Sequence, residues 1–388
     1  MFFHVGKQRQ QNFPHNHQCR GFVVSLDEGW HTASDKQGNP IWYKGYLDQG
    51  NLADHVVGIS LEKIPKHYGN FCVIKAIDQG VVLRTDRLRS FPLWHYHGGL
   101  TNLQEVGNLI WTDGSIVLKN DMTLFYLSFD AIGSVQETTL SFEDVVDQVD
   151  ALLTAKTEQF LNNLQLPLRV FLSGGVDTAL LFAYIKRSKV NYQLILNSHV
   201  DYDYFYMKNF SSLKDQWGYN QIHHWREDCV LVSGAPGDEF TARSPLVGNL
   251  LLLHYGLSIP KLLDDPAYAD CLHYSYFKNP KHFALWEEQE QNYTAQSLGT
   301  VIGKCCNYNI NDWQHWHLGR TLTWTPLRDL EMFKLFARLE PQALVGQVMH
   351  STVQKELIRR HAPEVLDYLS TQKNSKNSLE NLVGLLDR

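Results

Sequence analysis

The chain has 388 residues, 44% of them hydrophobic and 20% charged, ordinary proportions for a protein that buries real cores and long enough for two domains. Its formal net charge of −6 excludes the basic footprint of a nucleic-acid binder, and no apolar run approaches the ~18 residues that cross a bilayer. The opening MFFHVGKQRQQ lacks an apolar segment of signal-peptide length, and six cysteines without a CxxC pair point to reduced thiols in the cytoplasm.

In chain order, the first third reads as short strands with turn punctuation. GFVVSL, VVGISL, FCVIKAI, VVLRTD and LIWTDGSIVL are apolar or β-branched runs separated by DKQGNP, DQGN and DQG. HNHQCR carries His15, His17 and Cys19, which read as turn residues rather than a zinc site, because structural zinc needs a second paired ligand set. The histidine- and aromatic-rich WHYHGG and WQHWHLGR read as core or interface packing with satisfied polar tips, and the adjacent Cys305 and Cys306 as small buried residues.

The pattern changes near residue 136. Ser141, with Asp144 three residues on, predicts a helix start, and Val145, Val146, Val149, Leu152 and Leu153 follow at helical spacing. A strand from Arg169 to Leu172, a helix from Thr178 to about Lys186 and a strand from Gln193 to Asn197 come next. Such alternation predicts a parallel sheet. LRDLEMFKLFARL and TVQKELIRRHAPEVLDYL predict further helices, and KNSKNSLENLVGLLDR a loose tail with one short helix.

Between the first strand and helix of this half lies Ser173-Gly174-Gly175-Val176-Asp177-Thr178. Backbone N–H groups at a helix N-terminus attract an anion, and glycines let it approach. Ser173 and Thr178 add hydroxyls. Asp177 would repel a bare phosphate, so the loop makes sense around a magnesium–nucleotide complex. No lysine follows the glycines, which separates it from the Walker loop.

FLSGGVDT resembles the SGGxDS/T pyrophosphate loop of the N-type ATP pyrophosphatases, and VLVSGAPGDEF, residues 230–240, resembles the SGxGSDE segment of the asparagine synthetase and β-lactam synthetase branch. The resemblance implies that Asp177 and Asp238 hold Mg2+ on the pyrophosphate moiety of ATP. It further implies that Leu172, Ser173, Gly174, Gly175, Thr178, Ser233 and Gly234 line the nucleotide, with the strand around Leu194 to Leu196 against adenine. TPLRDLEMFKLFARLEP resembles the segment and helix near the end of such domains. QKELIRRHAPEVLDYLSTQKN resembles their lysine-bearing segment, which makes Lys373, with Lys355 as second candidate, the catalytic cation on the charge that builds during adenylation.

YGNFCVIKAIDQGVVLRTDRLRSFPLWHY resembles the strand pair of class II glutamine amidotransferases, with Asp86, Arg87, Pro92 and Leu93 on the recurring pattern. That family needs a cysteine directly after the initiator methionine; here the chain runs Met1-Phe2-Phe3-His4 and its first cysteine is Cys19. A scaffold without glutaminase activity is expected. Other departures concern the synthetase half. Ser173 and Ser233 are 60 positions apart, a tight fit for the branch, and Ala235 and Leu322 stand where it often has nucleophile-activating side chains. Glu239, Glu287, Glu288, His315 and His317 are unranked candidates for the base.

The expected fold class is α/β. Residues 1–135 form a β-rich α+β domain like the N-terminal-nucleophile hydrolases, and residues 136–388 a parallel-sheet ATP pyrophosphatase domain. The expected function is ATP-dependent amide formation, in which a small-molecule or peptide carboxylate is adenylated with release of pyrophosphate and then attacked by an amine or ammonia. ATP and Mg2+ are the expected cofactors and a homodimer the expected assembly, without nucleic acid or membrane. A nucleotide-binding relative without turnover is the alternative; sulfur transfer or nitrile formation, a third, usually needs a cysteine pair this chain lacks.

Overall fold

Most of the described residues between 3 and 128 fold as antiparallel sheet, and their β-branched and aromatic runs send successive side chains to opposite faces, with several strands buried on both. The computed structural model describes residues 3–11, 13–47, 51–57, 69–86, 93–96, 99–101, 108–109, 112–128, 138–172, 174–196, 229–234, 237–266, 280–293 and 321–369. In the first half these are β1 (Phe3–Gly6), β2 (His15–Cys19), β3 (Phe22–Leu26), β4 (His31–Ser34), β5 (Pro40–Leu47), helix α1 (Leu52–Val56), β6 (Gly69–Ile77), β7 (Gly80–Thr85), β8 (Trp94–Tyr96), β9 (Gly99–Thr101), β10 (Asn108–Leu109), β11 (Thr112–Lys119) and β12 (Leu124–Ser128).

Among the described residues they make two six-stranded sheets, ordered β10-β8-β9-β1-β3-β2 and β12-β11-β7-β6-β5-β4. Strand β6 shows how the layers form. Cys72, Ile74 and Ala76 join Phe3, Val5, Phe22 and Val24 of the other sheet in one core, whereas Phe71 and Val73 pack on the opposite face with Ile41, Leu47, Leu52 and Val56. The result is a sandwich whose second sheet carries α1 on its outer face.

Three readings of this half change. His15, His17 and Cys19 form edge strand β2 rather than a turn: His15 meets Glu28 at 3.7 Å, His17 packs on Trp42 and Cys19 is buried. Val56, assigned to a strand, ends α1, which Asn51 caps by accepting from the Ala53 N–H; residues 58–61 of that run lie outside the described residues. LIWTDGSIVL divides between β10 and β11, which belong to different sheets.

The second half is α/β. Its elements are α2 (Phe142–Asn163), β13 (Leu168–Leu172), α3 (Val176–Lys186), β14 (Tyr192–Leu196), β15 (Cys229–Val232), α4 (Gly237–Phe240), α5 (Pro245–His254), α6 (Ile259–Leu263), α7 (Pro280–Asn292), β16 (Thr321–Trp324), α8 (Leu330–Phe336), α9 (Pro341–His350), α10 (Thr352–His361) and a 3-10 turn (Pro363–Tyr368). The four described strands pair in parallel in the order β14-β13-β15-β16, as the strand–helix alternation predicts. Ser141 caps α2 as read, accepting from the Asp144 N–H at 3.2 Å.

Helix α3 is buried from Val176 to Ile185, sandwiched rather than amphipathic. It is locked to α2 and α10 by Asp150, which accepts from the Tyr184 hydroxyl at 2.7 Å and pairs with His361 Nε2 at 2.7 Å. The two halves share apolar packing: Tyr46 of β5 meets Phe160 of α2, and Phe160 stacks on Trp324 of β16 with ring centroids 4.1 Å apart and planes 7° from parallel. Among the described residues no helix is long and apolar enough to cross a membrane.

Candidate functional site

Strand order fixes where a site forms. From β13 the chain crosses through α3 to β14 on one side, while β15 has β16 on the other. The switch point therefore lies between β13 and β15, and crevices outside the carboxyl ends of such strands are where α/β sheets bind ligands. Two loops meet there. One follows Leu172 and carries Gly174 and Gly175; the other follows Val232 and carries Ser233 and Gly234.

Gly174 has φ +84°, a conformation that costs a side chain dearly, and Gly175 takes the N-cap position of α3 without a side chain to fill it. Thr178 Oγ1 donates to the Gly175 carbonyl at 3.0 Å and steadies the turn. Asp177, in the first turn of α3, gains from the helix dipole although it is buried. The first turn of α3 packs on the second loop so closely that a Cβ on Gly234 would sit 2.8 Å from Asp177 Cβ and 2.9 Å from the Thr178 backbone nitrogen. Ser233 ties the second loop to the sheet, its N–H donating to the Trp324 carbonyl at 3.0 Å.

Between Asp177 and Asp238 stands Arg243. Its Nη2 donates to Asp177 Oδ2 and to Asp238 Oδ1. The chain reaches this position by doubling back after α4: Ala242 is left-handed at φ +62°, and the Arg243 N–H donates to the Asp238 carbonyl at 2.7 Å. Behind it, Arg243 Nη1 donates to Ser351 Oγ at 2.9 Å. Ser351 is the left-handed corner, φ +56°, where α9 ends and α10 begins. Gln347 Nε2 donates to the Thr241 carbonyl and to Gln354 Oε1, both at 2.7 Å, and Gln354 Nε2 reaches Asp177 Oδ1 at 3.5 Å.

Burial raises the Asp177 carboxyl above the ordinary carboxylate range; Arg243 opposes this and the neighbouring Asp238 adds to it. For Arg243, burial acts to lower the pKa, but Asp177 and Asp238 outweigh it and the net direction is upward. Lys355, one residue beyond Gln354, is lowered by partial burial and by the charge of Arg243, which places its ammonium in the field of the same cluster.

Of the residues read from the sequence, Leu172, Gly174, Gly175, Asp177, Thr178, Ser233, Gly234 and Asp238 converge at the switch point, and Leu196 ends β14 in register with Leu172. Glu239 is buried beside Arg243, Glu287 and Glu288 are exposed on α7, and Leu322 pairs with Val230. Ser173, Lys373, Ala235, His315, His317, Arg87, Pro92, Cys305 and Cys306 lie outside the described residues.

Arg243, Ser351, Gln347 and Gln354 were not read from the sequence. The available signal was Arg243 as a lone charge between the apolar runs of FTARSPLVGNLLLL, since a charge is buried there only when paired. Magnesium between the two aspartates is tested by this geometry: the oxygens that would bridge the ion, Asp177 Oδ2 and Asp238 Oδ1, both accept from the guanidinium. A bridging ion does not fit while Arg243 keeps its place. Among the described residues no group of three or more histidine, cysteine, aspartate or glutamate side chains forms a metal site. The chain matches no protein-family model, and no curated protein sequence matches it.

Proposed function

We propose that this chain binds ATP at the carboxyl ends of β13 and β15 and uses it to form an amide. A carboxylate oxygen of the substrate attacks the α-phosphorus, and the bond to pyrophosphate breaks. An amine or ammonia then adds to the acyl carbon, and AMP leaves. One observation supports the reading above others: Asp177 and Asp238, in the first turns of the helices that follow adjacent parallel strands, meet at the switch point with an arginine between them.

In this reading the glycine turn and the N-terminus of α3 hold the departing pyrophosphate, and the buried Arg243 adds positive charge near that site. The sequence resemblance assigns Lys373, with Lys355 as second candidate, to the negative charge that builds on the phosphoryl oxygens during adenylation. Mg2+ accompanies ATP as the sequence resemblance implies, and no step is assigned to it. The resemblance also makes residues 1–135 an amidotransferase-like scaffold that makes no ammonia, and residues 136–388 the synthetase. Cytoplasmic placement agrees with Cys19, Cys72 and Cys229, which are buried and outside any disulfide among the described residues.

A second reading, nucleotide binding without turnover, is favoured by the neutralisation of the two carboxylates by Arg243. Calorimetric titration with ATP, followed by product analysis with carboxylate and amine mixtures, separates the two. AMP and pyrophosphate support the ligase; binding without products supports the second reading. Absence of binding, or release of ADP and orthophosphate, overturns both.

A further inference from the structure

We propose that Arg243 is a built-in counter-cation that closes the Asp177–Asp238 pair to divalent cations, and that the pair becomes a divalent-cation site once the guanidinium is removed. The proposal rests on the nucleotide reading only in taking these two loops as the site; the geometry of three side chains carries the rest.

A divalent ion that bridges two carboxylates needs one oxygen from each in its first coordination sphere. Here those oxygens, Asp177 Oδ2 and Asp238 Oδ1, already accept from one nitrogen of Arg243. The guanidinium cannot simply be pushed aside. It is 4% exposed, its Nη1 is bonded to Ser351 Oγ at 2.9 Å, and its Nε approaches Thr241 Oγ1 at 3.4 Å. Nor can an ion lodge next to it cheaply, because a dication beside a buried guanidinium meets strong repulsion, and the ammonium of Lys355 adds to the positive field. The carboxylates themselves are built for a cation: Asp177 is buried, whereas Asp238 keeps about half its side chain open to solvent, so an entry path exists once Arg243 is absent.

Mn2+ alone, followed by electron paramagnetic resonance in the absence of nucleotide, is the probe. The full-length wild-type chain should bind Mn2+ weakly. Arg243→Ala should gain one site at least ~10-fold tighter, since buried Asp177 and half-exposed Asp238 then lack their shared partner. Arg243→Ala/Asp177→Asn should lose that site again. Equal, tight binding by wild type and variant overturns the proposal, as does a folded variant without any gain. If Arg243→Ala fails to fold, Arg243→Gln takes its place, and tight one-to-one Mn2+ binding by the wild type alone would be sufficient to overturn it. ATP plays no part in these titrations, so failure of the ligase reading leaves their outcome unaffected.

Discussion

A Cβ atom added to Gly237 would lie 2.6 Å from Cγ of Asp177 and 2.7 Å from its Oδ2. The start of α4 and the first turn of α3 are thus in contact through a carboxyl group packed on a bare α-carbon. Gly237→Ala should push Asp177 out of line, costing about 1–3 kcal/mol by overpacking and weakening ATP binding. Urea unfolding and calorimetry check both. In an Asp177→Ala background the cost of Gly237→Ala should largely disappear, whereas simple additivity would show that the contact is not the cause.

Arg243 should be costly to remove. Truncating one member of a buried ion pair strands the other charges, and Arg243→Ala should lose about 3–5 kcal/mol without added metal. Adding Asp177→Asn to this background should recover part of the loss. Melting temperatures of the three proteins decide it; an Arg243→Ala protein as stable as the wild type contradicts the pairing.

The acid limb of stability should depend on Glu356. Hydrogen bonds from Arg359, then from Arg360, hold its carboxyl down at about 2. Because the folded value is depressed, the stabilisation is present above the ordinary glutamate range and is lost as pH falls from there toward 2. Solvent screening limits it to about 1 kcal/mol. Melting curves between pH 7 and pH 2 should fall less steeply in that window for Glu356→Gln; identical slopes would contradict the assignment.

Phe160 links the two halves, packed on Tyr46 and Trp324. Phe160→Ala should cost about 3–5 kcal/mol by the cavity it leaves. Wild-type unfolding should be one transition by near-ultraviolet and far-ultraviolet circular dichroism alike, and cutting the chain near residue 136 should leave two poorly soluble pieces. A soluble, folded piece spanning residues 136–388 would contradict this dependence.

Much of this architecture could be read from local pattern. Ser141 and Asp144 announced the start of α2, and Leu168–Leu172, the glycines and α3 followed in the order that a strand, tight turn and buried helix demand. Asp177 and Asp238 could be paired only through the resemblance of their segments, because nothing in spacing says that β13 and β15 are neighbours. Arg243 was illegible for a related reason. Its partners lie 5, 66 and 108 residues away, and its aim depends on left-handed turns at Ala242 and Ser351, residue types that do not advertise such conformations. Edge strand β2 was hidden by polar side chains, since an edge needs only one buried face.

The column Tyr46–Phe160–Trp324 has a consequence for how the chain can change over generations. Trp324 closes the column with its ring and, through its carbonyl, receives the N–H of Ser233 at the mouth of the site. The antiparallel half therefore contributes volume and rigidity to that loop through this column of rings. Selection on its sheet is selection on shape, which persists whatever chemistry its own surface performs. Inherited variation in that half should conserve the bulk of Tyr46 and the strands around it while the outward-facing side chains drift freely.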